Sequence, residues 1–160
     1  MSMTLTKLMG EFAKAANVDR IEPEADGCYS LEIDGMVVRF SEVAEKDELF
    51  MWAEVGALPP EGREPLCHTL LTADFMGRGT LGAVLSVDPD SETVFLHRTD
   101  SVKALDFDHF RTKLEQFVNV LETWRKTLDE YRPHAHRHEE AARDAAHAEH
   151  QSSLGNFIRI

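Results

Sequence analysis

The chain reads as an α+β domain in the order helix, three strands, helix, two strands, helix, with a mainly antiparallel sheet on which the helices pack. Three observations predict it. Two tight-turn sequences, Asp34-Gly35 and Asp88-Pro89-Asp90-Ser91, each stand between short runs of apolar and β-branched residues. Three other stretches place apolar residues at spacings of three and four. Finally, 160 residues suit one domain, which at this size buries about two thirds of the surface its unfolded chain exposes.

Thr4 has the side chain of a helix N-cap, and Leu5, Leu8, Met9, Phe12 and Ala16 follow on one helical face. Residues 28–33 and 36–41 form the first hairpin around Asp34-Gly35, a dipeptide suited to the positive φ of a two-residue turn. Residues 48–55 make the third strand, with Leu49, Met51 and Ala53 on one face and Phe50, Trp52 and Glu54 on the other. After Pro59 and Pro60, a second helix over about residues 64–76 aligns Leu66, Leu70, Leu71 and Phe75 before Gly77 closes it. Residues 82–87 and 92–98 flank Asp88-Pro89-Asp90-Ser91, a type I turn by its Asp and Pro positions. The longest helix starts at an Asp106 cap and runs through Phe107, Phe110, Leu114, Phe117, Val118, Leu121, Trp124 and Leu128, with Pro133 as a stop. The domain therefore covers residues 1–131. Residues 132–160 are a polar tail rich in His and Ala, whose stretch 138–151 has helix-favouring composition but no apolar stripe, and which carries Leu154, Phe157, Ile158 and Ile160 at its far end.

Twenty-nine acidic residues against 17 Lys and Arg give a formal charge of -12, which repels nucleic-acid phosphates and anionic membrane surfaces and favours a neutral or basic partner. The two cysteines, Cys28 and Cys67, form no CxxC pair, as expected in a reducing cytoplasm. The charged residues Lys7, Glu11 and Lys14 interrupt the first helix, which is therefore no signal peptide, and no run approaches the roughly 18 apolar residues of a membrane span.

Every signal for catalysis or a cofactor fails on spacing or context. Gly77-Arg78-Gly79-Thr80-Leu81-Gly82 matches G-x-G-x-x-G but leads from a helix into a strand, the reverse of a dinucleotide-binding turn. Asp88, Asp90 and Glu92 lack the glycine and distant Glu of a calcium loop. His97, Asp100 and Ser101 have no nucleophile elbow, and Cys67 and His68 diverge by about 100° on a helix. His134, His136 and His138 would meet on an extended chain without a completing carboxylate or thiolate, which keeps a metal-binding or regulatory tail as the alternative reading. What remains is more apolar surface than one core needs, with Leu5, Leu8, Phe12, Phe50, Trp52, Leu70 and Phe75 competing for places in it.

The element order, together with Leu70-Leu71-Thr72-Ala73-Asp74-Phe75, Thr93-Val94-Phe95-Leu96-His97-Arg98 and Phe110-Arg111-Thr112-Lys113-Leu114-Glu115-Gln116-Phe117-Val118, resembles the class I type III secretion chaperones, the Tir-chaperone-like family, over about residues 3–130. The resemblance implies a cytoplasmic homodimer without cofactor or enzymatic activity. It would bind the N-terminal segment of a secreted effector in extended form and keep it soluble and competent for export without ATP. It also implies a dimer contact on the second helix and the following strand, through Leu66, Leu70, Leu71, Phe75, Val84 and Leu85. Effector grooves are expected from the first helix and first three strands, through Leu5, Leu8, Phe12, Leu31, Ile33, Val38, Phe40, Leu49 and Met51. The tail departs from the family pattern.

Overall fold

The computed structural model describes residues 4–132. The elements occur in the expected order: α1 (Leu5–Ala15), β1 (Tyr29–Ile33), β2 (Met36–Val43), β3 (Glu48–Ala57), α2 (Arg63–Asp74), β4 (Val84–Asp88), β5 (Thr93–Ser101) and α3 (Phe107–Asp129). All five strands form one antiparallel sheet in the order β1-β2-β3-β5-β4. The sheet is thus two hairpin-based units joined through β3 and β5, with α2 inserted between them in sequence.

Local chemistry accounts for the element ends. The Thr4 hydroxyl accepts from the Lys7 N–H at 3.3 Å, and the Glu42 carboxylate of β2 accepts the Leu5 N–H at 2.8 Å, so the start of α1 receives both a cap and a negative charge suited to its dipole. Asp34 and Gly35 have φ of 50° and 73°, the two left-handed residues of a hairpin turn, and they set the register Ile33 to Met36. In the second hairpin, the Asp88 carboxylate accepts the Asp90 N–H and the Ser91 hydroxyl, which fixes that turn. Asp106 caps α3 by accepting the His109 N–H at 2.8 Å.

One face of the sheet is the core. Leu31, Val38, Phe40, Leu49, Met51, Ala53, Val94 and Leu96 point from it toward Leu5, Leu8 and Met9 of α1 and toward Phe110, Leu114, Phe117, Leu121 and Trp124 of α3. The Phe40 and Phe110 rings meet at 5.9 Å. The helix α3 lies over β3, where a β-bulge falls between Glu54 and Gly56, and Gly56 lets the Leu128 side chain come so close that a Cβ there would stand 3.0 Å from it. Val120, absent from the predicted stripe, is buried too.

The second helix departs from its expected form. It ends at Asp74, and Phe75–Gly77 continues as a single tighter turn in which Met76 takes φ 59° and Gly77 φ 66°. Leu66 and Leu70, four apart, are buried, whereas Leu71 lies 100° further round and points to solvent. Strand ends shift by one to three residues, β5 running on to Ser101.

Candidate partner-binding surfaces

Among the described residues three apolar surfaces remain open. The first is a groove of about 370 Å³ between α1 and α3, where Phe12, Ile33, Leu114 and Val118 form the floor and Asp34, Arg111 and Glu115 the rim. Phe12 reaches it because α1 turns Leu5, Leu8, Met9 and Ala13 into the core and leaves Phe12 on the flank. Ile33 reaches it as the last residue of β1, an edge strand.

The second surface is a ridge at the end of α2 and the start of β4. Leu71 is 71% exposed, Phe75 61%, Met76 81%, Leu81 59% and Val84 43%. Five large apolar side chains in 14 consecutive positions exceed the scattered exposure usual on a monomer surface. The ridge is rigidly seated. The Asp74 carboxylate accepts the Leu85 N–H of β4 at 3.1 Å through either oxygen. Gly79 donates its N–H to the Ala73 carbonyl, and its own carbonyl accepts the Trp124 indole N–H at 2.9 Å. The three glycines of the false dinucleotide motif serve this loop: Gly77 and Gly82 have positive φ, and a Cβ on Gly79 would stand 2.8 Å from the Ala73 Cβ.

The third surface is the sheet face opposite the core. Strand alternation brings Phe50 and Trp52 of β3 beside Phe95 and His97 of β5, with Trp52 paired to His97 and both within reach of β4 through Val84. The Phe50 and Trp52 rings stack at 5.2 Å, His97 lies 5.5 Å from Phe50, and the Arg39 guanidinium sits 5.3 Å over Trp52. Phe50, Trp52, Phe95 and His97, with Ser86, Val87 and Asp88, line a cavity of about 400 Å³. Burial holds the His97 imidazole below its usual range, against the opposing pull of the Asp74 carboxylate.

Of the nine residues expected to line an effector groove, Leu5, Leu8, Leu31, Val38, Phe40, Leu49 and Met51 are buried in the core of the protomer, while Phe12 and Ile33 reach the groove between α1 and α3. Of the six expected at a dimer contact, Leu71, Phe75 and Val84 are on the ridge, and Leu66, Leu70 and Leu85 lie beneath it in the core. Met76, Leu81 and the aromatic set of Phe95 and His97 are additions. For Phe95 and His97 the signal in the sequence is alternation that puts large side chains on both faces of a strand, as in β3; Met76 and Leu81 lie in turns, where no periodicity marks them.

The catalytic and metal candidates are separated by the fold. His97 and Ser101 point to the open face of β5, whereas Asp100 turns to the other side and is held by Arg98 at 2.7 Å and by Lys113 of α3. Glu92 is engaged by Arg63 through two hydrogen bonds of 2.6 and 2.8 Å, which takes it away from Asp88 and Asp90. Among the described residues no group of three His, Cys, Asp or Glu side chains is arranged to hold a metal ion, and no helix is long and apolar enough to cross a membrane. His134, His136 and His138 lie outside the described residues, as does the expected tail.

The comparisons with known proteins agree with this fold. The fold matches a chain of the ExsC-ExsE complex with a TM-score of 0.67 at 21% identity, over 80% of this chain and 97% of that one. It matches a chain in the structure of the Yersinia pestis type III secretion chaperone SycH bound to a fragment of YscM2, with a TM-score of 0.60 at 21% identity, over 76% and 99%. A chain of the heterodimeric ExoU-SpcU complex from the type III secretion system of Pseudomonas aeruginosa matches with a TM-score of 0.62 at 12% identity, over 80% and 100%. In sequence, a Chlamydia pneumoniae protein designated CPj0713/CpB0740 is 30% identical over 126 residues, which are 78% of this chain and 95% of that protein. The model of the Tir chaperone protein (CesT) family matches residues 7–125, and on that span the chain belongs to this family.

Proposed function

We propose that this chain, a type III secretion chaperone by family, pairs with a second copy along the Leu71, Phe75, Met76, Leu81 and Val84 ridge and holds the N-terminal segment of a secreted effector in extended form. The observation that carries the reading is the division of apolar surface. The core is complete within the protomer, yet a ridge and a groove are left over, on different elements and so available to two partners at once.

The groove suits an extended chain. Apolar side chains of an effector segment fill the space among Phe12, Ile33, Leu114 and Val118, and the neighbouring edge strand β1 offers backbone groups for strand addition. The segment stays unfolded, so its ordering entropy is the main cost, and the buried apolar area must offset it. The net negative charge of the chain favours effector segments that are neutral or basic. The action is binding alone: it keeps an aggregation-prone segment soluble in the cytoplasm and ready for export. A ridge of this kind is the self-complementary patch that a two-fold dimer uses, since each copy presents the same side chains.

The test is to mix the purified chain with N-terminal segments of effectors secreted by its own organism and follow complexes by light scattering behind size exclusion. A Phe12→Asp, Ile33→Asp variant should lose at least tenfold in effector affinity and remain a dimer, while Phe75→Glu should yield monomers. Full binding by the first variant would refute the groove, and an unchanged dimer in the second would refute the ridge.

A further inference from the structure

The aromatic cavity on the open sheet face takes part in neither the ridge nor the groove. We infer that it receives the guanidinium of an arginine carried by the effector segment, so that the protein recognises a basic side chain as well as apolar ones. The inference rests on the effector-binding reading for the source of that arginine, and on the cavity for its chemistry.

Strand pairing builds the walls. On one side of β5, Trp52 stands opposite His97 and Glu54 opposite Phe95; on the other, Val84 and Ser86 of β4 stand opposite the same two residues. Phe50, Trp52, Phe95 and His97 are each partly buried, so ring surface is left for a ligand to cover. The space they line, about 400 Å³, is within the size range of ligand pockets. A guanidinium suits such walls, because the ring quadrupoles attract a cation and this planar one sheds water more readily than an ammonium. The protein contains its own example: the Arg39 guanidinium lies 5.3 Å over the Trp52 ring.

The charges favour a cation over a neutral group. Arg39 stands beside the cavity, but Asp26 at 2.7 Å and Glu24 at 3.2 Å hold its guanidinium and offset its charge. Arg98 turns to the core side of β5, where Asp100 holds it. Burial keeps His97 toward its neutral form, while the Asp74 carboxylate acts on it from the end of α2. Asp88, in the cavity lining, stays ionised because one of its oxygens accepts the Asp90 N–H and the other the Ser91 hydroxyl. A carboxylate has about four lone-pair positions, so those two bonds leave acceptors for the paired N–H groups of a guanidinium. With Glu54 on the same face of β3, the carboxylates of Glu24, Asp26, Glu54, Asp74 and Asp88 outnumber the charge of Arg39, and the field at the rings draws in a positive group.

The test uses the full chain labelled with 5-fluorotryptophan, whose two 19F resonances belong to Trp124, buried in the core, and to Trp52, assigned by Trp52→Phe. The probe is a short peptide, blocked at both ends, with one arginine between two leucines; its twin carries citrulline, which keeps the shape and removes the charge. The arginine peptide should move the Trp52 resonance saturably, with a dissociation constant of about 1 mM or lower, and leave that of Trp124 in place. Citrulline should weaken binding about tenfold, and Asp88→Asn, which keeps an acceptor for the turn, about threefold or more. A Trp52 resonance that stays put up to about 10 mM peptide, or equal binding of the two peptides, overturns the proposal. So does a Trp52 resonance that shifts on dilution through the dimer dissociation range without peptide, because a second copy then fills the cavity. The effector-binding reading is judged separately, by N-terminal effector segments and the Phe12→Asp, Ile33→Asp variant. Loss of the peptide response with effector binding intact sinks the arginine site alone. Failure of every effector segment, with the arginine peptide still bound at Trp52, sinks the effector-binding reading and supports the site.

Discussion

The helices α3 and α2 are both amphipathic in sequence, and the protein uses them in opposite ways. In α3, Phe110, Leu114, Phe117, Val118, Val120, Leu121 and Trp124 are all buried. In α2, Leu66 and Leu70 alone are buried, and Leu71 and the following Phe75 face solvent. Position in the sheet explains the difference. The 23 residues of α3 lie over β3, the middle strand of five, where apolar neighbours surround the helix underside. The 12 residues of α2 lie against β4, an edge strand, and meet it along one line. A helix at the edge of a sheet can complete the core with two side chains and still present an apolar flank to another molecule.

The comparison is broken most directly on α3. Phe110→Ala removes a fully buried ring that meets Phe40, and we expect a loss of about 3–5 kcal/mol in unfolding free energy. Urea titration at a fixed protein concentration, with an unchanged slope, measures it. A loss below about 1 kcal/mol would mean that α3 is not the helix on which the core depends.

The same contrast explains what could be read without coordinates. In α3, spacing and burial coincide: a stripe over six turns, an Asp106 cap and Pro133 beyond left few alternatives for the helix, and only Val120 was missed. The hairpins were equally legible, because Asp34-Gly35 and Asp88-Pro89 state their turn geometry locally. In α2, periodicity had too few turns to separate Leu71 from Leu70, and the end of the helix is set by contacts far away in sequence. Asp74 is drawn to Leu85, and Gly79 is fastened to Trp124. The surfaces were least legible. A stripe tells which residues leave water; it does not tell whether a neighbouring strand of the same chain or a separate molecule receives them. Leu8, Val38 and Phe40, which the family resemblance assigns to a groove, are buried by the protomer, while Phe95 and His97 form a surface pair that no stripe marks.

The attachment of the α2 loop gives the next largest effect. A Cβ at Gly79 would stand 2.8 Å from the Ala73 Cβ and 3.2 Å from its Cα, and neither atom belongs to a flexible side chain that can swing away. Gly79→Ala should therefore cost about 1–3 kcal/mol and disturb the Trp124 hydrogen bond, visible as a shift in tryptophan fluorescence. A cost under about 0.5 kcal/mol would show that the ridge is loosely seated, and the contrast with α3 would become one of mobility rather than position.

The helix starts differ as well. Asp106 caps α3, whereas the N-cap position of α2 is Gly62, with φ 70° and no side-chain cap. Asp106→Ala should lower the urea midpoint by less than Gly79→Ala does. Its dependence on pH has a definite sign. The backbone N–H and then the imidazole of His109 hold the Asp106 carboxyl below its ordinary value of 3.8 in the folded chain, so its contribution is present above that value and is lost as pH falls through the folded pKa. The gap between the variant and the natural chain should close as pH falls through the folded pKa of Asp106. A gap that persists in acid would assign the effect to packing instead of the charged cap.

The smallest effect on the protomer is expected where the largest apolar side chains are exposed. Leu71 touches solvent over most of its surface, and Phe75, 61% exposed, has the Arg78 guanidinium 5.5 Å from its ring. Leu71→Ser with Phe75→Ser should change the unfolding free energy by about 0.5 kcal/mol or less at concentrations where the chain is monomeric. Near the dimer dissociation constant the same pair should weaken self-association by a factor of ten or more, as sedimentation equilibrium would record. The two measurements separate the roles that one helix combines. A protomer destabilised by several kcal/mol would mean that these side chains complete the core after all. An unchanged protomer with unchanged self-association would move the dimer contact away from α2 and leave the exposed flank to a different partner.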